Sequence, residues 1–581
     1  MFEVTERDGV ARVGTLTLGD RENPTPALFH VDHPRFSVKG PWIERLFHLG
    51  PDRGPVFING SGLSALTEVE RSSKPGGDPR ARAQSFVSGR KDVGPGKVLY
   101  LPGTGMIHEF ALMAYSGVDA FDSAQLILNA RKGIYLTPEG STPRSEWKAD
   151  RCHCPGCIGQ VGDGAIVKAT PDSSEHAPEE AANSGVRQEP FKSILLHNLL
   201  AAQEELALIR HAISSGTLRN LVEMRVRSHP ELVSVLRYLD TEHAEFFRMH
   251  VGFSGGRVIG VSEDSLLDPR VMAYRERVGS YRSPPGDILL LLPCSARKPY
   301  STSRSHRQFK MVTADFFGHM NELIITSPLG LVPRELENFS PAANYDISVT
   351  GEWSEREITM VRDMLTDLME KNEYQLIVNH TPYSFVGEIL QKLAKEGTEI
   401  VSTVMNGRAT SKGSLSELRE TLWKNTRDRR RYGGDVWKEG TFANMWTFQF
   451  GEGSAMMLEG TSVRGRAPFL KLMKDKGQLA MMVPKAQRIS LTLAGGELLA
   501  TGKQNRVFIE NFHPTGDIFA VGITNADEGI RVGDEVVVVY QASEEEEPDI
   551  RGVGVSEMAG TELREASRGV GVRLRHRAKR K

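Results

Sequence analysis

The chain is 581 residues long, more than one hydrophobic core organises, so roughly three to five domains are expected. Its 39% hydrophobic and 25% charged residues describe a water-soluble globular protein, and no apolar run comes near the roughly 18 residues of a membrane span. A net charge of −2 excludes overall attraction to polyanions but leaves room for a local basic patch.

The N-terminus, MFEVTERDGVARVG, lacks the basic and apolar blocks of a signal peptide, so a cytoplasmic location is expected. VARVGTLTLGDRENPTPALFHV alternates apolar and polar residues and breaks at Gly and Pro, which predicts short strands. Lys74 to Gly96, rich in Gly, Pro and Arg, is expected to be an exposed loop. From Leu99 to Gly140, strand-like and helix-like segments alternate as in a βα barrel. Asp119 and Asp122 flank Phe121 at an expected strand end, where a carboxylate either serves chemistry or caps the next helix.

Four cysteines, three of them within six residues, do not make a disulfide framework; they point to a metal cluster and a separate thiol. Cys152, Cys154 and Cys157 form C-x-C-x-x-C, and His197 opens a strongly helical segment forty residues later. Three thiolates and one imidazole close a tetrahedral Zn²⁺ site and leave no position for water, which makes it structural rather than catalytic. His153 competes as fourth ligand, although its neighbours on both sides would already be bound. The polar, acidic residues between the cysteines and the helix read as a flexible insertion. Helical sequence continues to about His250, and a domain boundary is placed near Ser283.

Asp287 to Leu292 is a stretch of strand length, unbroken apolar from Ile288, that stops at Pro293, as expected of a central strand in an α/β sheet. Function in such sheets sits just past a strand's carboxyl end. There Cys294, Lys298, Tyr300, Ser301, Ser303, Ser305 and His306 place a thiol, an ammonium, an imidazole and several hydroxyls on one loop. The competing interpretation is a polar loop that only packs. Two more strands follow, separated by a helix from about Ser354 to Lys371. Their ends bring Ser327, Asn379 and His380 toward the same edge as Cys294. A helix carrying Lys424, Arg427, Arg429, Arg430 and Arg431 closes this domain, its basic cluster suited either to phosphate contact or to a solvated face. From Trp437 short strands with Gly turns are expected, and from Asn505 a small β barrel. The last fourteen residues hold seven Lys or Arg and no acid, so Arg573, Arg575, Arg577, Lys579 and Arg580 are candidate nucleic-acid contacts.

Three resemblances converge on these features. Residues from about 98 to 240 resemble the tRNA-guanine transglycosylase family, through GVDAFDSA, LTPEG, CHCPGC, His197-Asn198 and RNLVEMRVRSHP. Asp122 falls where that family keeps its nucleophile, but the family's second aspartate signature is missing: the nearest text, Asn59-Gly60-Ser61-Gly62, has no carboxylate. Base exchange is therefore not expected, and Asp122 is a base-binding relic at most. The segment from Asn505 looks like a PUA domain. Pro293, Cys294, Lys298, Pro299, Tyr300, Ser303 and His306 fit Pro-Cys-x3-Lys-Pro-Tyr-x2-Ser-x2-His, and with its flanks this pattern resembles the archaeosine synthase family of archaea.

The resemblance implies a multidomain α/β and β protein: a degenerate transglycosylase-like (β/α) barrel over 1–283, a central α/β domain over 284–434, a small α+β domain over 435–503 and a PUA β barrel over 504–581. It implies a transferase acting on tRNA whose D-arm carries 7-cyano-7-deazaguanine, adding an amine donor to the nitrile to give an amidine. Lysine is the expected donor and glutamine-derived nitrogen the other family assignment. The chain lacks a C-x3-C-x2-C cluster, so radical-SAM chemistry would come from a partner; a homo-oligomer is a further option, and no membrane partner is expected. A nitrile carbon is a soft electrophile, so Cys294 is expected to add to it as a thioimidate, with Lys298 lowering the thiol pKa. His306 is expected to shuttle protons, and Tyr300 and Ser303 to hold the base or donor. The alternatives are direct amine attack in a binding pocket, a non-catalytic tRNA-binding scaffold, and an active transglycosylase.

Overall fold

The computed structural model describes residues 2–18, 21–31, 36–38, 47–49, 63–65, 77–103, 105–158, 167–169, 184–253, 256–349, 351–543 and 545–579. The chain divides into two compact units, residues 1–247 with 565–569, and residues 248–564 with 570–581. The division after 247 lies upstream of the boundary expected near Ser283, because the helix Pro269–Gly279 buries Val271, Tyr274 and Val278 in the core of the second unit. Asn59 to Gly62, most of the acidic insertion after Cys157, and Arg580 lie outside the described residues.

The first unit opens with a three-stranded antiparallel sheet, Phe2–Asp8, Ala11–Leu18 and Arg21–Thr25. It continues in a parallel sheet ordered Phe47–Leu49, Ala27–Val31, Ala120–Asp122, Val98–Tyr100, Leu63–Ala65, with helices between strands as in βα units. The stretch expected as a loop is in part a helix, Pro79–Val93. Asp78 caps it by accepting from the Arg80 N–H, Pro79 supplies the preset φ of the first turn, and Ala83, Phe86 and Val87 are buried. The Arg content concealed this, because Arg82 and Arg90 are themselves buried against carboxylates.

In the second unit a five-stranded sheet runs Gly330–Pro333, Met320–Thr326, Ile288–Pro293, Leu376–Asn379, Glu399–Ser402. All pairings are parallel except that of the edge strand Gly330–Pro333. Every residue of Ile288–Pro293 is buried, which explains its unbroken apolar text. The helix expected near Ser354 runs Glu355–Lys371, with Ser354 and Glu357 forming a capping box. At Trp437 the structure is helical, not stranded: Gly434–Phe450 buries Phe442, Met445, Trp446 and Phe450, a helical repeat that the two glycines ahead of it disguise. A four-stranded antiparallel sheet from Ser462 to Leu491 and a helix, Leu493–Thr501, follow. A six-stranded sheet from Arg506 to Arg577 ends the unit. No described helix is long and apolar enough to cross a membrane.

Asp119 holds the first unit together electrostatically. It is buried with Arg12 and Arg90, accepting from Arg12 Nε at 3.1 Å and Arg90 Nη1 at 3.0 Å and from the Leu99 N–H at 2.8 Å. Removing the carboxylate strands two buried cations. We expect Asp119→Ala to destabilise this unit by roughly 3–5 kcal/mol, seen as a lower urea midpoint for its transition.

Candidate active site

Two constellations carry chemistry-bearing groups, one in each unit. In the first, Cys152, Cys154, Cys157 and His197 bring their ligand atoms within 4.8 Å of one another. The cysteines lie in a tight turn and His197 on the long helix Ser184–Ser214. His197 Nε2 donates to the Leu136 carbonyl at 3.1 Å, which leaves the Nδ1 lone pair facing Cys154 Sγ at 3.6 Å and Cys157 Sγ at 3.5 Å. Burial lowers the His197 pKa and keeps the ring neutral, and burial raises the thiols of Cys154 and Cys157. Gly156 permits the approach: a Cβ there would sit 2.4 Å from the Ser193 carbonyl oxygen. Asn198 locks the register by accepting from the Leu136 N–H at 2.8 Å and donating to Leu126 and Ile134 carbonyls. His153 is exposed and outside the group, so His197 is the fourth ligand of a candidate metal site.

Asp122 does not present a free carboxylate. One oxygen accepts from Tyr100 Oη at 2.8 Å and the Gly103 N–H at 2.6 Å, and the other from the Ala124 N–H at 2.8 Å, with the side chain buried. It is a turn and helix-start cap, the alternative that the sequence left open.

In the second unit the loop after Ile288–Pro293 is held by a chain of buried polar groups. His306 is 2% exposed; its Nε2 donates to the Pro293 carbonyl at 3.0 Å, and Arg334 donates to its Nδ1 at 2.8 Å. Arg334 also binds Glu322 at 2.6 Å and Glu337 at 3.0 Å, and Glu337 accepts from the Ser301 N–H at 2.9 Å. Burial, then the charge of Arg334, push the His306 pKa down to about 3. Both ring nitrogens are engaged within the fold, and in this structure His306 positions the loop. Ser303 caps the helix Arg304–Thr313, its Oγ accepting from the His306 N–H at 3.3 Å. Tyr300 is fully buried and bonds the hydroxyl of Tyr345, which reaches Thr326. Both hydroxyls are bonded within the fold.

Cys294 and Lys298 are each only partly buried. Cys294 is half-buried, with Tyr383 Oη 3.9 Å from its Sγ. Lys298 Nζ lies 4.0 Å from the centre of the Tyr345 ring, and its pKa is lowered by burial, opposed by the charges of Cys294 and Asp346. Burial raises the Tyr383 pKa, so its hydroxyl keeps its proton. Tyr383 packs against Trp353 at 5.1 Å and Phe385 at 5.9 Å, a half-buried aromatic wall beside the thiol. Sequence reasoning missed Tyr345, Tyr383 and Arg334; a Tyr three residues after His380 at a strand exit was the one available signal. Asn379 and His380 share the sheet edge but face inward: His380 bonds Thr403 and the Ala409 carbonyl, and Asn379 bonds Thr381.

On the last strand, Val570–Arg577, the candidate RNA contacts differ among themselves. Arg575 turns to the buried Glu535, Arg573 binds Glu557 at 2.8 Å, and Arg577 donates to the Thr515 carbonyl. Lys579 is exposed. Arg575 thus balances a buried carboxylate before it can meet a phosphate.

His306 links pH to stability. Unfolded, the ring titrates near 6.5, and folded near 3, so between these values the unfolded chain binds more protons. The stability it contributes is complete above about pH 6.5 and is lost as pH falls toward 3. Glutamine supplies one donor and one acceptor without titrating there. We expect His306→Gln to flatten the fall of the second unit's urea midpoint between about pH 6.5 and 4 and to keep activity within roughly tenfold of wild type. A proton shuttle would instead lose most of its turnover.

Comparison with known proteins identifies the two units' contents. A family model described as queuine tRNA-ribosyltransferase matches residues 75–231, one described as a domain of unknown function (DUF5591) matches 271–422, and a PUA domain model matches 510–578. The chain is 30% identical to the archaeosine synthase subunit alpha of Methanosarcina acetivorans, over 99% of both chains. It is 31% identical to the archaeosine synthase of Haloferax volcanii, again over 99% of both. Among solved structures, AF0587, a protein of unknown function, aligns with 53% of this chain and 100% of its own, at 28% identity and a TM-score of 0.41. Full-length similarity at this level, with a transglycosylase-like unit ahead of the cysteine-bearing domain and a PUA domain behind it, makes this chain a member of the archaeosine synthase family.

Proposed function

We propose that the chain acts on tRNA carrying 7-cyano-7-deazaguanine in its D-arm and adds the amine of free lysine to the nitrile, giving an amidine. The observation that carries this is the placement of Cys294: a half-buried thiol just past the end of a fully buried central strand, beside Lys298 and Tyr383. The thiol adds across the nitrile. The S–C bond forms as one C≡N π bond breaks; the Tyr383 hydroxyl donates its proton to the nitrile nitrogen and takes up the thiol proton, while the Lys298 ammonium favours ionisation of the thiol. The donor amine then attacks the thioimidate carbon and expels the Cys294 thiolate, which takes the proton released from the amine nitrogen, leaving the amidine and the free thiol. Completion to archaeosine is assigned to a radical-SAM partner; the Methanosarcina relative is named as an alpha subunit, which fits a second polypeptide. The PUA domain, with Lys579 and the exposed arginines of the last strand, contributes RNA binding.

An active transglycosylase is disfavoured, because both oxygens of Asp122 are bonded internally. The three thiols and His197 suit Zn²⁺, which would hold the turn of Cys152 to Cys157 on the helix and supply no reaction chemistry.

With nitrile-bearing tRNA and each candidate amine, mass spectrometry of the product is expected to find a gain of one lysine. Cys294→Ala should lower turnover by at least about a thousandfold; full activity in that variant would leave direct amine attack as the mechanism. A glutamine-dependent gain of ammonia would replace lysine as the donor. We further expect one Zn²⁺ per chain by elemental analysis, lost in Cys157→Ser together with a lower thermal midpoint for the first unit, and retained in Cys294→Ala.

A further inference from the structure

The basic cluster at the end of the central domain finds no role in the chemistry above, and the fold joins it to the loop of Cys294. The helix Arg304–Thr313 starts at Ser303, directly after that loop. Arg304, Arg307 and Lys310 are exposed, on the side away from the buried His306, Phe309 and Thr313. The neighbouring helix Lys412–Thr426 is fastened to this one through Arg419, which donates to the Val312 carbonyl at 3.4 Å and to Asp315 at 2.7 Å. Beyond its end lie Arg427, Arg430 and Arg431, all exposed, and Arg431 Nε donates to the Phe317 carbonyl at 3.1 Å.

Two properties set this surface apart from a solvated helix face. None of Arg304, Arg307, Lys310, Arg427 and Arg430 has a carboxylate partner among the described residues, whereas Arg573 and Arg575 on the last strand are both paired. The surface is also faced with aromatic groups. Arg427 lies 3.4 Å over the ring of Trp423, which is 51% exposed, and Phe317 is 40% exposed nearby. Exposed cations interleaved with stacking rings are what a single-stranded or looped RNA engages, its phosphates on the guanidiniums and its bases on the rings.

We infer that this face, running from the Cys294 loop along Arg304–Thr313 to Arg427, Arg430 and Arg431, binds the RNA backbone. It brings the substrate nucleotide to the thiol. The inference rests on the proposal that the substrate is RNA and goes beyond it in assigning a second RNA contact outside the PUA domain.

The test uses the full-length protein and an unmodified tRNA transcript, so that it reads binding without depending on the chemistry. Two triple variants are compared with wild type, Arg304→Ala/Arg307→Ala/Lys310→Ala and Arg427→Ala/Arg430→Ala/Arg431→Ala, each with a version in which its arginines become lysine and Lys310 is kept. Each alanine triple is expected to raise Kd at least about tenfold at roughly 0.15 M salt and to reduce the slope of log K against log salt by about 2–3, with the charge-preserving versions close to wild type. With nitrile-bearing tRNA, KM should rise in parallel while kcat at saturation is kept. Unchanged Kd and salt slope in both triples would overturn the inference, as would loss of binding to anionic vesicles with tRNA binding intact. Wild-type tRNA binding without turnover would instead count against the proposed chemistry and leave this surface standing.

Discussion

The loop that carries Cys294 depends on one buried imidazole. His306 joins the carbonyl at the end of the central strand to Arg334, and Arg334 passes the connection through Glu337 to the Ser301 N–H on the same loop. Each group satisfies another's hydrogen-bonding need inside the fold, where an unpaired member would be costly. The ring has to remain neutral, since a proton on Nδ1 would face a guanidinium with no acceptor. Desolvation and the nearby cation hold it so. The arrangement fixes where the chain leaves the sheet, and therefore where the thiol and Lys298 stand.

Around that rigid frame the reactive groups are sparse. Cys294, Lys298 and Tyr383 are each only partly buried, while Tyr300 and Tyr345 form a buried pair. A thiol beside a desolvated amine and a protonated phenol is suited to adding S–H across a carbon–nitrogen multiple bond, which needs a nucleophile and a proton but no redox partner. The aromatic wall of Trp353, Tyr383 and Phe385 gives this corner a flat apolar side.

In the first unit, which matches the queuine tRNA-ribosyltransferase family model, the carboxylates of Asp119 and Asp122 are engaged within the fold. Asp119 neutralises Arg12 and Arg90, and Asp122 caps the turn into a helix. Its candidate metal site, Cys152, Cys154, Cys157 and His197, brings a turn against a long helix, where Gly156 leaves room for the Ser193 carbonyl.

The sequence determined the local features whose signal is local. The run Ile288–Pro293 had to be a buried strand because every residue is apolar, the C-x-C-x-x-C spacing marked a metal cluster, and Ser354 with Glu357 marked a helix start. It misled where burial contradicted polarity: Arg82 and Arg90 made a helix resemble a loop, and glycines hid the helix Gly434–Phe450. Only the tertiary structure decided what the motif side chains do. Tyr300, Ser303 and His306 are as polar in the sequence as Cys294 and Lys298, and their partners come from Tyr345 and Arg334, distant along the chain. Whether a polar group is spent on the fold or left for a ligand is set by which groups fold against it, and residue type and spacing along the chain carry no record of that.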